Sequence, residues 1–259
     1  MNPMPGIATL TLNPAIDQSV AIPGFAAGSV NRVVWEQSDP GGKGVNVASF
    51  LADLGCRVAV TGLLGRDNAS VFEQLFSGKA MSDAFVRIPG NNRVNIKIID
   101  EEKPSIIDIN FPGSAVTPEH LAELARRIDA LLADHDCFVI CGSVPVGVPA
   151  TYYPDLIRRL KTAGKRVLLD SSGEALRAGI TAAPWAIKPN LAELEELVDA
   201  RLPDQAAVIH AARALLVRGL ACVLVSMGRD GALFVTADAC LHAIPPEVTV
   251  KTTVGAGDA

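Results

Sequence analysis

Along most of the chain, short runs of consecutive apolar residues alternate with longer stretches in which apolar positions recur every three or four residues. The first pattern is that of strands covered on both faces, and the second is that of helices with one buried side. The runs I-A-T-L-T-L, R-V-A-V-T-G, C-F-V-I-C, R-V-L-L-D, W-A-I-K, C-V-L-V-S and G-A-L-F-V predict strands over 7–12, 57–62, 137–141, 166–170, 185–188, 222–226 and 231–235. Helices are predicted over 45–54, 68–76, 117–133, 149–163, 191–200 and 205–218. T-P-E opens the third, and Gly55, Gly164 and Gly219 close three others, which are ordinary helix boundary signals. Strands that alternate with crossover helices imply an α/β protein with a doubly wound, mostly parallel sheet.

Two stretches interrupt this rhythm. Residues 15–38, with V-A-I and V-V-W-E, and residues 91–111, with R-V-N-I-K-I-I-D and S-I-I-D-I-N around E-E-K-P, alternate with period two and have no helix between their strands. They predict antiparallel strands that form a small β-sheet lid projecting from the α/β body, with a hairpin turn at 100–104. The reading is of one domain, 1–259, carrying two lid insertions. A sheet this small is not stable alone. The apolar face expected to carry Val20, Ile22, Val34 or Ile96 therefore suggests a homodimer joined through the lids.

Composition narrows the function. Lys and Arg total 23 against 28 Asp and Glu, a net charge of -5, with no long run of either sign. Nucleic acid and acidic membrane surfaces are therefore excluded as expected partners. No basic segment followed by an apolar stretch opens the chain and no apolar run reaches spanning length, so the expectation is a soluble, cytoplasmic protein. Five scattered cysteines without a C-x-x-C pair read as reduced thiols, and no transition-metal site is expected.

In an open parallel sheet, ligands sit beyond the carboxyl ends of the strands. The residues there are Asn13-Pro14, Gly142-Ser143, Asp170-Ser171-Ser172, Lys188-Pro189-Asn190 and Ser226-Met227-Gly228. Turn chemistry explains any one of these clusters, but it does not account for a lysine at a strand end. P-G-G-K-G-V-N, residues 40–46, opens a helix with free backbone amides and a cation, which suits a phosphorylated or polyhydroxylated ligand. Neither a Walker A loop nor a G-x-G-x-x-G dinucleotide fingerprint is present. In K-P-N-L-A-E, Asn190 and Glu193 fall on one helix face, where they either hold hydrated Mg²⁺ through water or cap the helix reciprocally. T-T-V-G-A-G-D, residues 252–258, places an acid beside a nest of small residues, the combination that phosphoryl transfer needs.

With G-G-K-G-V-N near its start and T-V-G-A-G-D near its end, the chain resembles the ribokinase-like PfkB family of carbohydrate kinases. T-L-N-P-A-I-D, R-V-N-I-K, G-S-V-P-V-G-V-P, D-S-S-G-E-A-L, K-P-N-L-A-E-L-E and S-M-G-R-D-G-A-L fall between them in the family's order. T-L-N-P-A-I-D and R-x-N-x-K are similar to the branch that phosphorylates sugar phosphates, chiefly 1-phosphofructokinase and tagatose-6-phosphate kinase. The resemblance implies ATP and Mg²⁺ as cofactors and a hexose phosphate as acceptor. It implies that Asp17, Gly41, Gly42 and Asn46 bind sugar hydroxyls, that Lys43 and Arg93 meet the phosphate already on the sugar, and that Ser143 lies near it. Lys188, Asn190 and Glu193 would face the ATP phosphates and Mg²⁺, with the Ser226, Gly228 and Gly231 turn at the nucleotide. Gly255, Ala256 and Gly257 would form the anion hole, with Asp258 as the general base. The preferred acceptor is fructose 1-phosphate, with tagatose 6-phosphate or fructose 6-phosphate as the alternative; a non-catalytic sugar-phosphate binder is the reading from another class. Family members continue past the position of Asp258 through a helix and further segments. From that follows the expectation that these 259 residues retain sugar-phosphate binding but little kinase activity.

Overall fold

The computed structural model describes residues 6–100, 102 and 105–245. In chain order the elements are β1 (Ile7–Thr11), β2 (Ala15–Ala21), β3 (Trp35–Gly41), α1 (Lys43–Asp53), β4 (Val58–Gly65), α2 (Ser70–Gly78), β5 (Ser82–Ile88), β6 (Arg93–Asp100) and β7 (Ser105–Ile109). There follow α3 (Pro118–Leu131), β8 (Cys137–Cys141), α4 (Tyr152–Thr162), β9 (Arg166–Asp170), α5 (Gly173–Ile180), β10 (Ala186–Ile187), α6 (Leu191–Val198), α7 (Gln205–Leu216), β11 (Cys222–Ser226), β12 (Ala232–Thr236) and β13 (Cys240–Ala243).

Nine strands form one sheet in the order β13-β12-β11-β10-β9-β8-β1-β4-β5, parallel from β11 to β5 and antiparallel only at the β12 and β13 edge. Its strands are apolar throughout because helices cover both faces. In β4, Val58, Val60 and Leu64 pack with α1 and α2 through Val45, Ala48, Phe72 and Phe76, while Ala59 and Leu63 join the core with Leu124 and Ile128 of α3. At Gly62 (φ 137°) a Cβ would overlap the Thr11 carbonyl, so β1 and β4 approach closely only because that side chain is absent.

Three elements went unread. β5 is half polar because it is a sheet edge, β13 is a short exposed edge strand, and α5 is eight residues long with a glycine at each of positions 173 and 179. All weaken the periodic signal. Cys141 and Cys222 are buried, the other three cysteines are half-buried, and all five are free thiols. Among the described residues no helix is long and apolar enough to cross a membrane.

The remaining strands form a separate four-stranded sheet, β3-β2-β6-β7. Each hairpin is antiparallel, but the two are joined by parallel pairing of β2 with β6, from Ala15 opposite Arg93 to Ala21 opposite Ile99, which corrects the all-antiparallel expectation. β3 begins later than the V-V-W-E run because its register with β2 runs on to Gly41 opposite Ala15. Residues 101, 103 and 104 of the expected hairpin turn lie outside the described residues. On one face Val20, Ile22 and Ile98 are buried with Phe25 and Ile96 packed against them. The Asp100 carboxylate holds Phe25 there by accepting from the Gly24 and Phe25 N–H groups at 2.9 and 3.0 Å. The chain itself therefore covers Val20 and Ile22, whereas Val34, Trp35, Ile107 and Ile109 remain exposed.

Candidate active site

The polar groups gather where the theory of open sheets places them, beyond the carboxyl ends of the central strands. Asp170 ends β9 and is fully buried. Its Oδ1 accepts from Lys43 Nζ at 2.8 Å and its Oδ2 from Lys188 Nζ at 2.9 Å. Lys43 Nζ also lies 3.4 Å from Glu193 Oε1. Two ammonium groups and two carboxylates from α1, β9, the β10–α6 turn and α6 thus form one cluster. Desolvating a lone carboxylate costs several kcal/mol, and the paired lysines offset that cost. Lys43 was expected at the sugar phosphate, but its ammonium bridges the two acids. Asp170 was not singled out. Its signal was an acid directly after the apolar run V-L-L.

Asn190 caps α6: its side chain accepts from Glu193 N at 2.8 Å, and Glu193 Oε2 accepts from Asn190 N at 2.9 Å. This is the reciprocal cap. Each carboxylate oxygen keeps lone-pair capacity beyond these bonds, so water-mediated contact to a hydrated cation remains compatible with the cap. Among the described residues no group of three or more His, Cys, Asp and Glu side chains stands ready for direct metal ligation. Ser226 N donates to Pro189 O at 3.1 Å, which sets the turn after β11 beside Lys188 and Asn190; Gly228 and Gly231 bend it with φ of 60° and 86°.

A second group sits on one face of the small sheet where it meets α1. Asp17 Oδ1 accepts from Asn95 Nδ2 at 2.9 Å, and any Cβ on Gly41 would overlap the Asp17 carboxylate. Gly42 (φ 112°) turns the chain into α1, where Asn46 N donates to Gly42 O at 3.0 Å. Arg93 donates to Asn13 O, Asn95 Oδ1 and Phe111 O at 3.2 to 3.3 Å, and Asn13 Nδ2 donates to Ser143 Oγ at 3.1 Å, linking both sheets. Gly142 (φ 83°), which precedes Ser143, is held by Ser171 Oγ and the buried Tyr153 hydroxyl, both donating to its carbonyl. Asn95, like Asp170, was not assigned a role, although period two already put it on the face of Arg93. Gly255, Ala256, Gly257 and Asp258 lie outside the described residues.

Burial pushes the Asp17 carboxyl above its ordinary 3.8; the Asn95 hydrogen bond and the charges of Arg93 and Lys97 oppose the shift, and Asp39 adds to it. Burial also lowers Arg93 from its usual value. A cavity of about 260 Å³ opens over this face, lined by Asp17, Ser19, Asn95, Lys97 and Asp108 among others. A more open depression of about 430 Å³ lies at the far end of α6 beside Glu195, Glu196, Asp199 and Arg201, where the carboxylates outweigh the single guanidinium and Glu195 already pairs with it, an arrangement that does not suit a phosphate.

The pfkB family of carbohydrate kinases matches residues 8–259. The chain belongs to that family. It is 46% identical over 254 residues to a 1-phosphofructokinase of Rhodobacter capsulatus, with 98% of this chain and 80% of the relative aligned. It is 41% identical over 252 residues to the 1-phosphofructokinase of Escherichia coli strain K12, with 97% and 80% aligned. The solved phosphofructokinase-2 of Escherichia coli in complex with substrates and products superposes with TM-score 0.89 at 31% identity, covering 97% of this chain and 82% of that one.

Two outcomes test this electrostatic reading. Asp170→Ala leaves two partly buried ammonium groups without their shared counter-charge, and it should destabilise the protein by about 3 kcal/mol or more in urea denaturation; a loss under about 1 kcal/mol would refute the cluster's role. Asp17 has a raised folded-state pKa, so its protonation favours folding and ionisation costs stability as pH rises. Asp17→Asn should therefore melt higher than the parent at pH 7, and the gain should vanish below pH 3.8. Equal melting temperatures at both pH values would contradict the shift.

Proposed function

We propose that the protein is an ATP-dependent 1-phosphofructokinase, converting fructose 1-phosphate to fructose 1,6-bisphosphate in the cytoplasm. The observation that carries the reaction class is the lysine pair on Asp170 at the carboxyl edge of the sheet, beside the Asn190 and Glu193 cap. The sugar is chosen by the relatives: those called 1-phosphofructokinase reach 46% identity, against 31% for the phosphofructokinase-2 structure.

On the acceptor side, Asp17, Asn95, Gly41, Gly42 and Asn46 receive sugar hydroxyls, with Arg93 and Ser143 toward the substrate's own phosphate. On the donor side, Lys188 faces the ATP phosphates, and the Ser226, Gly228 and Gly231 turn faces the nucleotide. Lys43 stands between the two sides. Asp258 takes the proton from the attacking sugar hydroxyl as its oxygen bonds to the γ-phosphorus. The bond from that phosphorus to the β,γ-bridging oxygen breaks, and its electron pair leaves with ADP. The amides around Gly255, Ala256 and Gly257 meet the charge on the transferred oxygens. Mg²⁺ bound through water at Glu193 and Asn190 would neutralise phosphate charge. The small sheet serves as a lid that keeps water from the γ-phosphoryl group.

Asp258→Asn should lower kcat for fructose 1-phosphate by about a hundred- to ten-thousandfold relative to the parent protein, read as ADP release. Undiminished turnover would remove Asp258 from the mechanism, and ADP release with free fructose alone would reject the sugar-phosphate reading.

We also propose a homodimer through the small sheet, now supported by the exposed Val34, Trp35, Ile107 and Ile109 in place of Val20 and Ile22. A solved phosphofructokinase-2 of Escherichia coli is described as a tetrameric inhibited form, so a different assembly is the competing outcome. Light scattering at micromolar concentration should give twice the chain mass; a monomer would count against the interface.

A further inference from the structure

We infer that Tyr153 is a positioning residue for the acceptor site: from inside the core it fixes the peptide that joins Gly142 to Ser143, and so aims the donors of Ser143 at the crevice. The inference rests on the kinase reading above, which gives Ser143 to the acceptor, and it adds a buried residue that touches no ligand itself.

Tyr153 stands in the first turn of α4 with 1% exposure, and its hydroxyl lies 3.2 Å from both the Cys141 and the Gly142 carbonyl oxygens. A phenylalanine would fill the same space. What the hydroxyl adds is a donor beneath the end of β8, and burial holds its pKa well above the usual 10, so the proton stays in place. Gly142, at φ 83°, turns the chain out of β8, and a glycine places little limit on the plane of the peptide that follows it. Hydrogen bonds set that plane instead. Gly142 N donates to Asp170 O at 2.8 Å, Ser171 Oγ donates to Gly142 O at 2.9 Å, and the Tyr153 hydroxyl reaches the same oxygen. Both lone pairs of the Gly142 carbonyl are thereby engaged.

A trans peptide points its N–H opposite to its C=O. With the Gly142 carbonyl turned toward β9 and α4, the Ser143 N–H faces the β1 side of the crevice. There β1 has already ended at Thr11, opposite Cys141, and among the described residues no acceptor takes this N–H. Ser143 Oγ accepts from Asn13 Nδ2 at 3.1 Å, so its own O–H is left to donate. Arg93 holds the Asn13 carbonyl in turn. One residue therefore offers two donors next to a guanidinium, and the hydrogen bonds on the Gly142 carbonyl polarise the shared peptide and strengthen its N–H. Without the Tyr153 hydroxyl, that carbonyl keeps one side-chain donor and the peptide plane is held less firmly.

The test is a split between the two substrates, read from calorimetric binding of fructose 1-phosphate without nucleotide and from ADP release. Tyr153→Phe keeps the ring and should weaken binding of fructose 1-phosphate about two- to tenfold, the size of one neutral hydrogen bond, and raise its KM by the same factor, with kcat and the KM for ATP within about twofold of the parent. Ser171→Ala removes the other side-chain donor to the same carbonyl and should shift the same constants in the same direction, which carries the test if Tyr153→Phe does not fold. Unchanged binding of fructose 1-phosphate in the folded variants would overturn the inference. So would a fall in kcat or a rise in the KM for ATP as large as the change for fructose 1-phosphate, the pattern of a general structural defect. A parent protein that phosphorylates no hexose phosphate would instead overturn the proposed function itself.

Discussion

One buried carboxylate organises the carboxyl edge of the main sheet. Asp170 has no contact with water, and a charge in that position persists only if it is paired and hydrogen-bonded. Its two partners come from opposite directions in the sequence, Lys43 at 127 residues' separation and Lys188 at 18. Satisfying both lysines fixes the start of α1 against the end of β9 and fixes the turn after β10 against both. Because Gly41 and Gly42 immediately precede Lys43, and a side chain on Gly41 would strike Asp17, the same constraint also locates the pocket proposed for the acceptor. A change at the ion cluster is therefore felt at Asp17 through three consecutive residues.

The pocket over the small sheet is built at a cost. Burial raises the Asp17 carboxyl above its ordinary 3.8, and Arg93 is desolvated beside it. The small sheet divides this burden between its faces. Val20, Ile22 and Ile98 hold one side together under Phe25, and the opposite side is left free to carry charge.

Much of this was legible in the sequence. The parallel sheet followed from apolar runs such as C-F-V-I-C and C-V-L-V-S, because a strand covered on both faces has no polar side to write. The glycine-lysine loop, the K-P-N-L-A-E turn and the R-V-N-I-K strand each stand at the edge where ligands are expected. What was not legible was three-dimensional. Whether Lys43 turns toward a sugar phosphate or toward an acid 127 residues away depends on which strand lies next to β8, and no local pattern encodes that order. The capping and metal readings of Asn190 and Glu193 share one spacing, and the cap emerged only from the hydrogen bonds. β5, β13 and α5 were missed for a simpler reason: edge strands and short glycine-containing helices bury too little to show a clean period.

The parallel pairing of β2 with β6 follows from where the two hairpins are rooted. β1 and β5 run in the same direction in the main sheet, both joined through β4. Residues 12–14 carry the chain from β1 into β2, and residues 89–92 carry it from β5 into β6, and both strands leave the main sheet in the same sense. Two strands leaving one edge in the same sense can pair only in parallel, although each hairpin read alone is antiparallel. Both roots are anchored. Asn92 exchanges two hydrogen bonds with the Gly65 backbone and meets Asn68, while Arg93 holds the Asn13 carbonyl. These anchors set Asp17 opposite Asn95 and Ser19 opposite Lys97 before any ligand arrives. The pocket's polar groups are thus arranged by backbone pairing between strands that the main sheet has already aligned, so little ordering is left for a ligand to impose.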